Sequence, residues 1–462
     1  MQLLHRVARS ERVPNIYAAQ VLTAQGWRHS VRLILESGRI AAVHAGVAPE
    51  PGDDRHEIIV PALGNLHSHA FQRGMAGLAE IAGDSADSFW SWRDVMYRFA
   101  LRMNPDQFQA IAAQAYVEML EAGFGRVGEF HYLHHDCDGQ RYADIGELAG
   151  RVAAAADATG LGLCLLPVFY AHSSFGGAPP GHAQRRFINN LDSYHALLER
   201  CRQLTANLPA AVVGVAPHSL RATTKDELLA VAQMAGTRPV HIHIAEQTGE
   251  VDECLAWSGS RPVAWLLENA PVGENWCLVH ATHVDSAEIA GIAAAGAVVG
   301  LCPVTEANLG DGVFPLSELL ARRGRFGVGT DSNVHINLAA ELSLLEYSQR
   351  LTHRARNVVK RASDSTGRAI MEFALAGGAQ ALGGSGHLRE GAAADFVSLN
   401  GQHPALFSRN ADALLDAWIF ASAGNLVDCV WVAGRKLVTG GVHVAREQIR
   451  GKFQAALQEL CS

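Results

Sequence analysis

The chain has 462 residues, 48% of them hydrophobic and 18% charged, which is enough for two or three domains with a sizeable buried core. Its net charge of −8, without a basic run, disfavours nucleic acid and acidic membrane surfaces as partners. The most apolar stretch, residues 291–301, is too short to span a bilayer, and residues 1–30 lack the apolar core of a signal peptide. The scattered cysteines form no C-x-x-C motif, which indicates reduced thiols. We therefore expect a cytoplasmic protein that does not bind membranes.

Short β segments dominate both ends of the chain. Near the N-terminus, a hairpin turn signal, Ser37-Gly38, lies between two strand patterns. Strand patterns return at 394–399 and 430–438. We predict that residues 1–60 and 386–462 together form a small composite β-sandwich domain, closed by a last helix.

Between these ends, strand and helix patterns alternate, which is typical of βα units around a parallel sheet. The strand candidates are residues 59–66, 126–131, 161–169, 212–217, 239–244, 276–280, 297–301 and 326–330. The helix candidates are residues 105–122, 142–159, 193–206, 225–235, 261–269, 286–295, 315–321, 339–351 and 447–460. This alternation predicts an α/β fold with a TIM-like (β/α)8 barrel over residues 61–385.

Histidines and carboxylates stand at the C-terminal ends of the predicted barrel strands, where the active sites of such barrels lie. His67 and His69 end the first strand, and residues i and i+2 of a strand project from the same face. His243 ends the fifth strand, and Asp331 ends the eighth. These four residues are the best metal-ligand set, because three imidazoles and one carboxylate leave a coordination position open. Zinc is our first choice, and iron(II) also fits these ligands.

Further polar residues lie close to this predicted metal site. His241 is one layer deeper on the strand of His243, so we favour packing or support of a ligand over ligation. Glu246 lies just beyond that strand, where a carboxylate can take a proton from an attacking water and pass it to a leaving nitrogen. A loop salt bridge is the alternative for Glu246. His280 ends the sixth strand and is either a fifth ligand or a group that orients water and polarises the substrate, whereas His283 is expected to be solvated.

The order of these residues resembles the amidohydrolase superfamily. The resemblance rests on His-x-His in the first strand, histidines in the fifth and sixth, and Thr330-Asp331-Ser332 in the eighth. Residues 386–391 and 432–435 also resemble the composite β-sandwich of that superfamily. The resemblance covers essentially the whole chain and implies a metal-dependent hydrolase.

A narrower resemblance is to the formimidoylglutamate deiminase family. It rests on residues 65–73, 89–93, 129–132, 218–221, 241–247 and 305–312. The resemblance implies hydrolysis of N-formimidoyl-L-glutamate to N-formyl-L-glutamate and ammonia, a step of histidine degradation, by a homodimer with a small-molecule substrate. It implies one zinc ion held by His67, His69, His243 and Asp331. It also implies that Glu246, His280 and Asp331 are catalytic, and that the substrate contacts are Gln72, Arg93, Tyr132, His218 and Arg221.

Two arginines support this substrate class independently of the resemblance. Guanidinium groups bind carboxylates in a bidentate manner, and the implied substrate has two carboxylates. Arg221 follows the fourth strand, and Arg93 lies in an aromatic stretch, where the alternative is a surface arginine stacked on Trp90 or Trp92. Arg73 is as well explained by a structural role as by a role in the site.

Two other functions remain open from the sequence. A deaminase of a nucleobase, pterin or related cyclic amidine would use the same metal chemistry, and it would have less use for paired arginines. A catalytically inactive barrel that serves as a binding or scaffold protein would be expected to have lost metal ligands. All four candidate ligands and Glu246 are present in this chain.

Overall fold

The N-terminal strands belong to a mixed sheet. The computed structural model describes residues 15–80, 89–362, 364–384, 386–422 and 424–462, and of residues 89–91 only the backbone. Strand β1 (Ile16–Thr23) pairs antiparallel with β2 (Gly26–Glu36), which turns into β3 (Arg39–His44), and β4 (Asp54–Pro61) runs parallel to β1. Ser37 and Gly38 have φ values of 48° and 78°, the left-handed conformation that a tight hairpin turn requires. The predicted hairpin is therefore confirmed.

Parallel strands then form the barrel, in two hydrogen-bonded arcs. The first arc contains β5 (Leu63–Ser68), β6 (Phe124–His131), β7 (Gly162–Phe169), β8 (Val212–Val213) and β9 (Ala216–Pro217). The second contains β10 (Val240–Ile244), β11 (Trp276–His280), β12 (Val298–Leu301) and β13 (Arg325–Val328). Parallel bridges from Val215 to Val240 and from Ser68 to Asp331 join the two arcs. The fourth predicted strand is split into β8 and β9, and the barrel is confirmed.

Helices cover the outside of the barrel. They are α1 (Phe89–Ala100), α2 (Pro105–Ala122), α3 (Glu147–Thr159), α4 (Leu191–Thr205), α5 (Lys225–Ala235), α6 (Thr248–Ser258), α7 (Pro262–Asn269), α8 (Ser286–Ala295), α9 (Pro303–Leu309), α10 (Leu316–Ala321), α11 (Leu338–His353) and α12 (Thr366–Ala381). The bounds of α2, α5 and α8 agree with the predicted ones, because side chains of Asn104, Thr224 and Asp285 cap their first turns. Helix α3 begins five residues later than predicted, after Gly146.

The C-terminal strands return to the N-terminal sheet. After α12 come β14 (Phe396–Leu399), α13 (Asp412–Phe420), β15 (Val427–Val432), β16 (Arg435–Thr439), β17 (Val442–His443) and α14 (Arg446–Cys461). Strand β14 pairs antiparallel with β4, so the sheet order is β17-β16-β15-β14-β4-β1-β2-β3. Both ends of the chain therefore share one sheet, whose apolar side includes the stacked rings of Phe396 and Trp431. The domain boundaries at residues 60 and 385 stay a prediction.

No helix within the described part of the chain combines the length and apolarity needed to cross a bilayer.

Helix α12 packs against the barrel through a glycine. A Cβ atom built on Gly377 would lie 1.8 Å from the carbonyl oxygen of Phe326 on β13. The contact is with backbone, which cannot move aside as a flexible side chain could. Gly377 therefore lets this helix lie against the strand that leads to Asp331.

This packing gives a prediction with opposite signs at two helical glycines. Gly377→Ala should lower the free energy of unfolding by about 3 kcal/mol, because helix and strand must separate. Gly451 is at an exposed position of α14, with nothing within 4 Å of an added Cβ. Gly451→Ala should therefore raise the free energy of unfolding by about 1 kcal/mol through helix propensity. Urea unfolding of both variants checks this. A Gly377→Ala variant as stable as the parent would contradict the tight packing.

Candidate active site

The four predicted metal ligands converge at one end of the barrel. His67 is on β5 and His69 directly follows it, His243 is on β10, and Asp331 lies three residues beyond β13. The Nε2 atom of His67 is 3.2 Å from Nε2 of His69, 3.0 Å from Nε2 of His243 and 3.3 Å from Oδ1 of Asp331. All four side chains are buried, and their ligand atoms lie within 4.8 Å of one another. Residues from three strands thus share one centre.

Backbone hydrogen bonds hold the carboxylate against the paired histidines. The amide of Asp331 donates to the carbonyl of His67 at 2.9 Å, and the amide of His69 donates to the carbonyl of Asp331 at 2.9 Å. The side-chain amide of Asn333 donates to the carbonyls of His69 and Asp331, at 3.1 and 3.0 Å. Asp331 itself has a φ of 42°, a conformation that costs a residue with a Cβ on the order of 1–3 kcal/mol. Surrounding contacts therefore fix a strained strand end.

The histidine ring orientations fit a divalent cation. Nδ1 of His69 is 2.9 Å from the carbonyl oxygen of Phe130, and Nδ1 of His243 is 3.1 Å from that of His218. Each Nδ1 must donate to its carbonyl, so each Nε2 presents a bare lone pair to the shared centre. Burial lowers the pKa of His67 to about 3 and also lowers the pKa of His69 and His243, so the neutral ligand form is favoured. Bare nitrogens and a carboxylate facing each other at this range form a group that could hold a divalent cation.

His241 lies apart from this centre. Its Nε2 is 2.9 Å from the carbonyl oxygen of Ala381 at the end of α12, and burial lowers the pKa of His241 to about 4. A neutral imidazole that donates to a helix carbonyl is a packing group. The two histidines of β10 therefore have different surroundings, and only His243 meets the other ligands.

Glu246 and His280 face each other beside the metal ligands. Oε1 of Glu246 is 3.8 Å from Nε2 of His280, which is also 3.8 Å from Oδ2 of Asp331. Burial raises the pKa of Glu246 to about 7. Burial disfavours the charged form of His280, but the facing carboxylates, Glu246 first among them, outweigh it and raise the pKa of His280 to about 10. A carboxyl that titrates near neutrality suits both accepting and releasing a proton.

Two buried carboxyls in this region were not assigned by sequence reasoning. Oε1 of Glu306, on α9, is 3.2 Å from Nδ1 of His280. Asp311 accepts a hydrogen bond from the side-chain amide of Gln247, and burial together with the charge of Glu246 raises the pKa of Asp311 to about 9. Both lie in the segment 305–312, which the sequence analysis used only as a family motif. The signal was therefore present, but nothing in the linear spacing assigned either residue a partner.

A pocket opens in front of this centre. It brings the predicted substrate contacts together with the predicted catalytic and metal-binding residues. Its lining includes Gln72, Arg93, Tyr132, His218, Arg221, Glu246, His280 and Asp331. The side-chain amide of Gln72 donates to the hydroxyl of Tyr132 at 2.8 Å. Four aromatic side chains also line the pocket: Trp92, Tyr97, Tyr170 and Phe187. From the sequence, Trp92 was named only as a stacking partner of Arg93, and the other three were not named.

Three residues had alternative interpretations that bear on this pocket. The guanidinium of Arg93 lies 5.6 Å from the ring centroid of Tyr97 while lining the pocket, and the side chain of Trp90 is outside the described residues. Arg73 forms an ion pair with Glu118 at 2.7 Å and is absent from the pocket lining. These contacts agree with the structural role considered for Arg73. We expected His283 to be solvated. Instead it is half-buried, and its Nε2 forms a hydrogen bond with the carbonyl oxygen of Asp311 at 2.8 Å.

Comparison with known proteins identifies the class. The family model described as "Amidohydrolase family" matches residues 58–437, most of the chain. The chain therefore belongs to the amidohydrolase family and is a hydrolase. The resemblance to the formimidoylglutamate deiminases is also confirmed. The model "Formimidoylglutamate deiminase HutF, N-terminal domain" matches residues 14–57, and the formimidoylglutamate deiminase of Pseudomonas aeruginosa is 49% identical over 96% of this chain and 99% of that protein.

Other relatives are more distant or are named only by family. The 8-oxoguanine deaminase of Pseudomonas aeruginosa is 26% identical over 91% of this chain and 92% of that protein. The crystal structure of an amidohydrolase from Brucella melitensis superposes with a TM-score of 0.94, at 54% identity over 97% of this chain and all of that one. An adenosine deaminase from Xanthomonas campestris with bound zinc has a TM-score of 0.80 at 20% identity, covering 97% and 98% of the two chains. This last likeness shows the fold alone.

The two histidines of β10 provide a matched test of the ligand set. His243→Ala should reduce the divalent metal content of the purified protein from about one ion per chain to a small fraction, because it removes a ligand. His241→Gln should keep the metal, because His241 bonds only to a helix carbonyl. Elemental analysis after gel filtration measures both. Equal metal loss in the two variants would contradict the assignment of the centre.

Proposed function

We propose that this chain hydrolyses N-formimidoyl-L-glutamate to N-formyl-L-glutamate and ammonia, a step in histidine degradation. The observation that carries the proposal is one pocket lined by both acidic and basic side chains. Glu246, His280 and the candidate metal ligand Asp331 line it. Arg93 and Arg221 line the same space. The 49% identity to a formimidoylglutamate deiminase supports it. We infer that the enzyme acts as a homodimer.

The proposed cofactor is one zinc ion. His67, His69, His243 and Asp331 would hold it, and iron(II) would also fit these nitrogen and oxygen donors. A bound zinc ion supplies Lewis-acid activation of water near neutral pH. The chain's own residues then carry the proton transfers.

Glu246 is the proposed proton carrier. Its carboxylate accepts a proton as water oxygen attacks the formimidoyl carbon, and it delivers that proton to the terminal nitrogen. The bond between carbon and this nitrogen then breaks as the carbonyl forms, and ammonia leaves. In this step Asp331 takes the second proton of the attacking water and relays it to the same nitrogen, which leaves as neutral ammonia. His280 hydrogen-bonds to the oxygen as its charge develops. The raised pKa of Glu246, about 7, supports this two-way role.

The two arginines of the pocket are proposed to hold the diacid part of the substrate. Arg93 and Arg221 bind the two carboxylates, and each guanidinium can donate two parallel hydrogen bonds to one carboxylate. Gln72, Tyr132 and His218 add hydrogen-bonding groups that orient the substrate between the two arginines. Because the protein is net negative, local arginines and not the overall field must attract this anion.

A deaminase of a cyclic amidine is the second candidate, favoured by the 26% identity to an 8-oxoguanine deaminase. Ammonia release from N-formimidoyl-L-glutamate, N-formimidoyl-L-aspartate, guanine and cytosine separates the two. We expect rapid release from formimidoylglutamate and none from the bases. Release only from a base would overturn the proposal, and an inactive scaffold would release ammonia from none of them.

The role of Glu246 predicts a selective loss of turnover. Glu246→Gln should lower kcat by about 10²–10⁴-fold, because the amide keeps the size of the side chain but cannot accept the proton. Metal content should stay at the parent level, since Glu246 is outside the ligand set. Steady-state ammonia release and elemental analysis measure the two quantities. A variant with near-parental kcat would rule out the proton-carrier role.

The role of Arg221 predicts a loss of substrate binding. Arg221→Met should raise KM for formimidoylglutamate about 10- to 100-fold, because a charged hydrogen-bonding partner of a carboxylate is lost. Arg73→Met is the control, since Arg73 pairs with Glu118 outside the pocket. Its KM should stay at the parent value. An unchanged KM in Arg221→Met would remove the diacid assignment.

A further inference from the structure

Glu306 is a buried carboxylate at the start of α9 whose contacts lead toward the reacting centre. Only 5% of its surface is exposed. Its Oε1 atom accepts a hydrogen bond from the backbone amide of Cys302 at 2.8 Å and lies 3.2 Å from Nδ1 of His280. Glu306 is absent from the lining of the pocket, so any effect on the substrate must pass through another residue.

His280 needs a partner to fix its ring. It is the last residue of β11 and has a φ of 66°, so its backbone already departs from the strand. Its ring stacks on that of His243, with centroids 5.7 Å apart and an interplanar angle of 15°. Stacking fixes the plane of the ring but permits a flip of roughly 180° around its χ2 angle. The bond from Nδ1–H to Glu306 selects the rotamer that directs Nε2 toward Glu246 and Asp331.

We propose that Glu306 is the positioning residue for His280, holding its Nδ1–H so that Nε2 faces Glu246 and Asp331 and can hydrogen-bond to the oxygen that attacks the substrate. The inference rests on the proposed function for its kinetic consequences. Its structural content, a hydrogen bond that sets the orientation of one imidazole, is independent of the substrate. The arrangement matches the general rule that a catalytic histidine is oriented by a carboxylate on its other nitrogen.

A purely structural role for Glu306 makes different predictions. Glu306 also accepts the amide of Cys302, so its loss could simply loosen the first turn of α9. Glu341 provides a matched control. It is another fully buried carboxylate, and its Oε2 accepts the amide of Val304 in the same turn at 3.0 Å. Glu341→Gln therefore tests the support of α9 separately from the contact with His280.

A double-mutant cycle separates positioning from support. Glu306→Ala should lower kcat roughly 10- to 100-fold with little change in KM or metal content. Glu306→Gln, which keeps an acceptor oxygen, should lose less. In the His280→Ala background neither change should lower kcat further, because the residue through which Glu306 acts is gone. Additive losses, or an equal loss in Glu341→Gln, would overturn the proposal.

A readout without substrate keeps the test independent of the proposed function. In zinc-loaded protein with isotope-labelled histidine, the Nδ1–H proton of His280 should give a downfield NMR resonance, identified by its loss in His280→Ala. The resonance should move or vanish in Glu306→Ala and stay in Glu341→Gln. A resonance unchanged in Glu306→Ala would overturn the proposal. A wild-type protein that releases no ammonia would contradict the proposed function. The resonance would still show whether His280 donates a hydrogen bond to Glu306.

Discussion

Mutual repulsion among the ligand atoms is the constraint on which the active-site end of the barrel depends. The Nε2 atom of His67 is 3.2 Å from Nε2 of His69 and 3.0 Å from Nε2 of His243, and a carboxylate oxygen of Asp331 is 3.3 Å from Nε2 of His67 and of His69. Two of these rings are committed to carbonyl acceptors through Nδ1. Their lone pairs therefore point inward in a buried site, where unscreened repulsion is costly. A divalent cation bound there would turn that repulsion into attraction.

The backbone around the centre is built to hold this geometry. Ala245, His280 and Asp331 lie at the ends of three different strands, and all have positive φ values. Such residues turn the chain abruptly at the strand end. The strand that leads to Asp331 is itself tightly packed, because α12 approaches the backbone of β13 at Gly377. Stability of the barrel and geometry of the site are in this sense one problem.

The sequence predicted the barrel and the convergence of its ligands, because strand periodicity and cap residues are local signals. The ligand positions followed from a topological rule: the C-terminal ends of parallel strands meet at one edge. Helices α1, α6, α9, α12 and α13 were missed. Helix α9 has only seven residues and begins with Pro303, and α12 carries two adjacent glycines that reflect close packing, not weak helix formation. Glu306 and Asp311 went unassigned because their partners lie on other elements, and no spacing along the chain encodes that pairing.

The central claim is that histidine nitrogens and a carboxylate oxygen, without sulfur, hold one divalent ion. Cys302 makes this a discriminating claim, since its thiol groups with His280 and Asp331 as an alternative set of donors. X-ray absorption at the metal edge of the purified protein tests it most directly. We predict a nearest shell of nitrogen and oxygen only, with the outer scattering typical of several imidazoles. A sulfur neighbour, or a protein that retains no metal after gel filtration, would contradict the account.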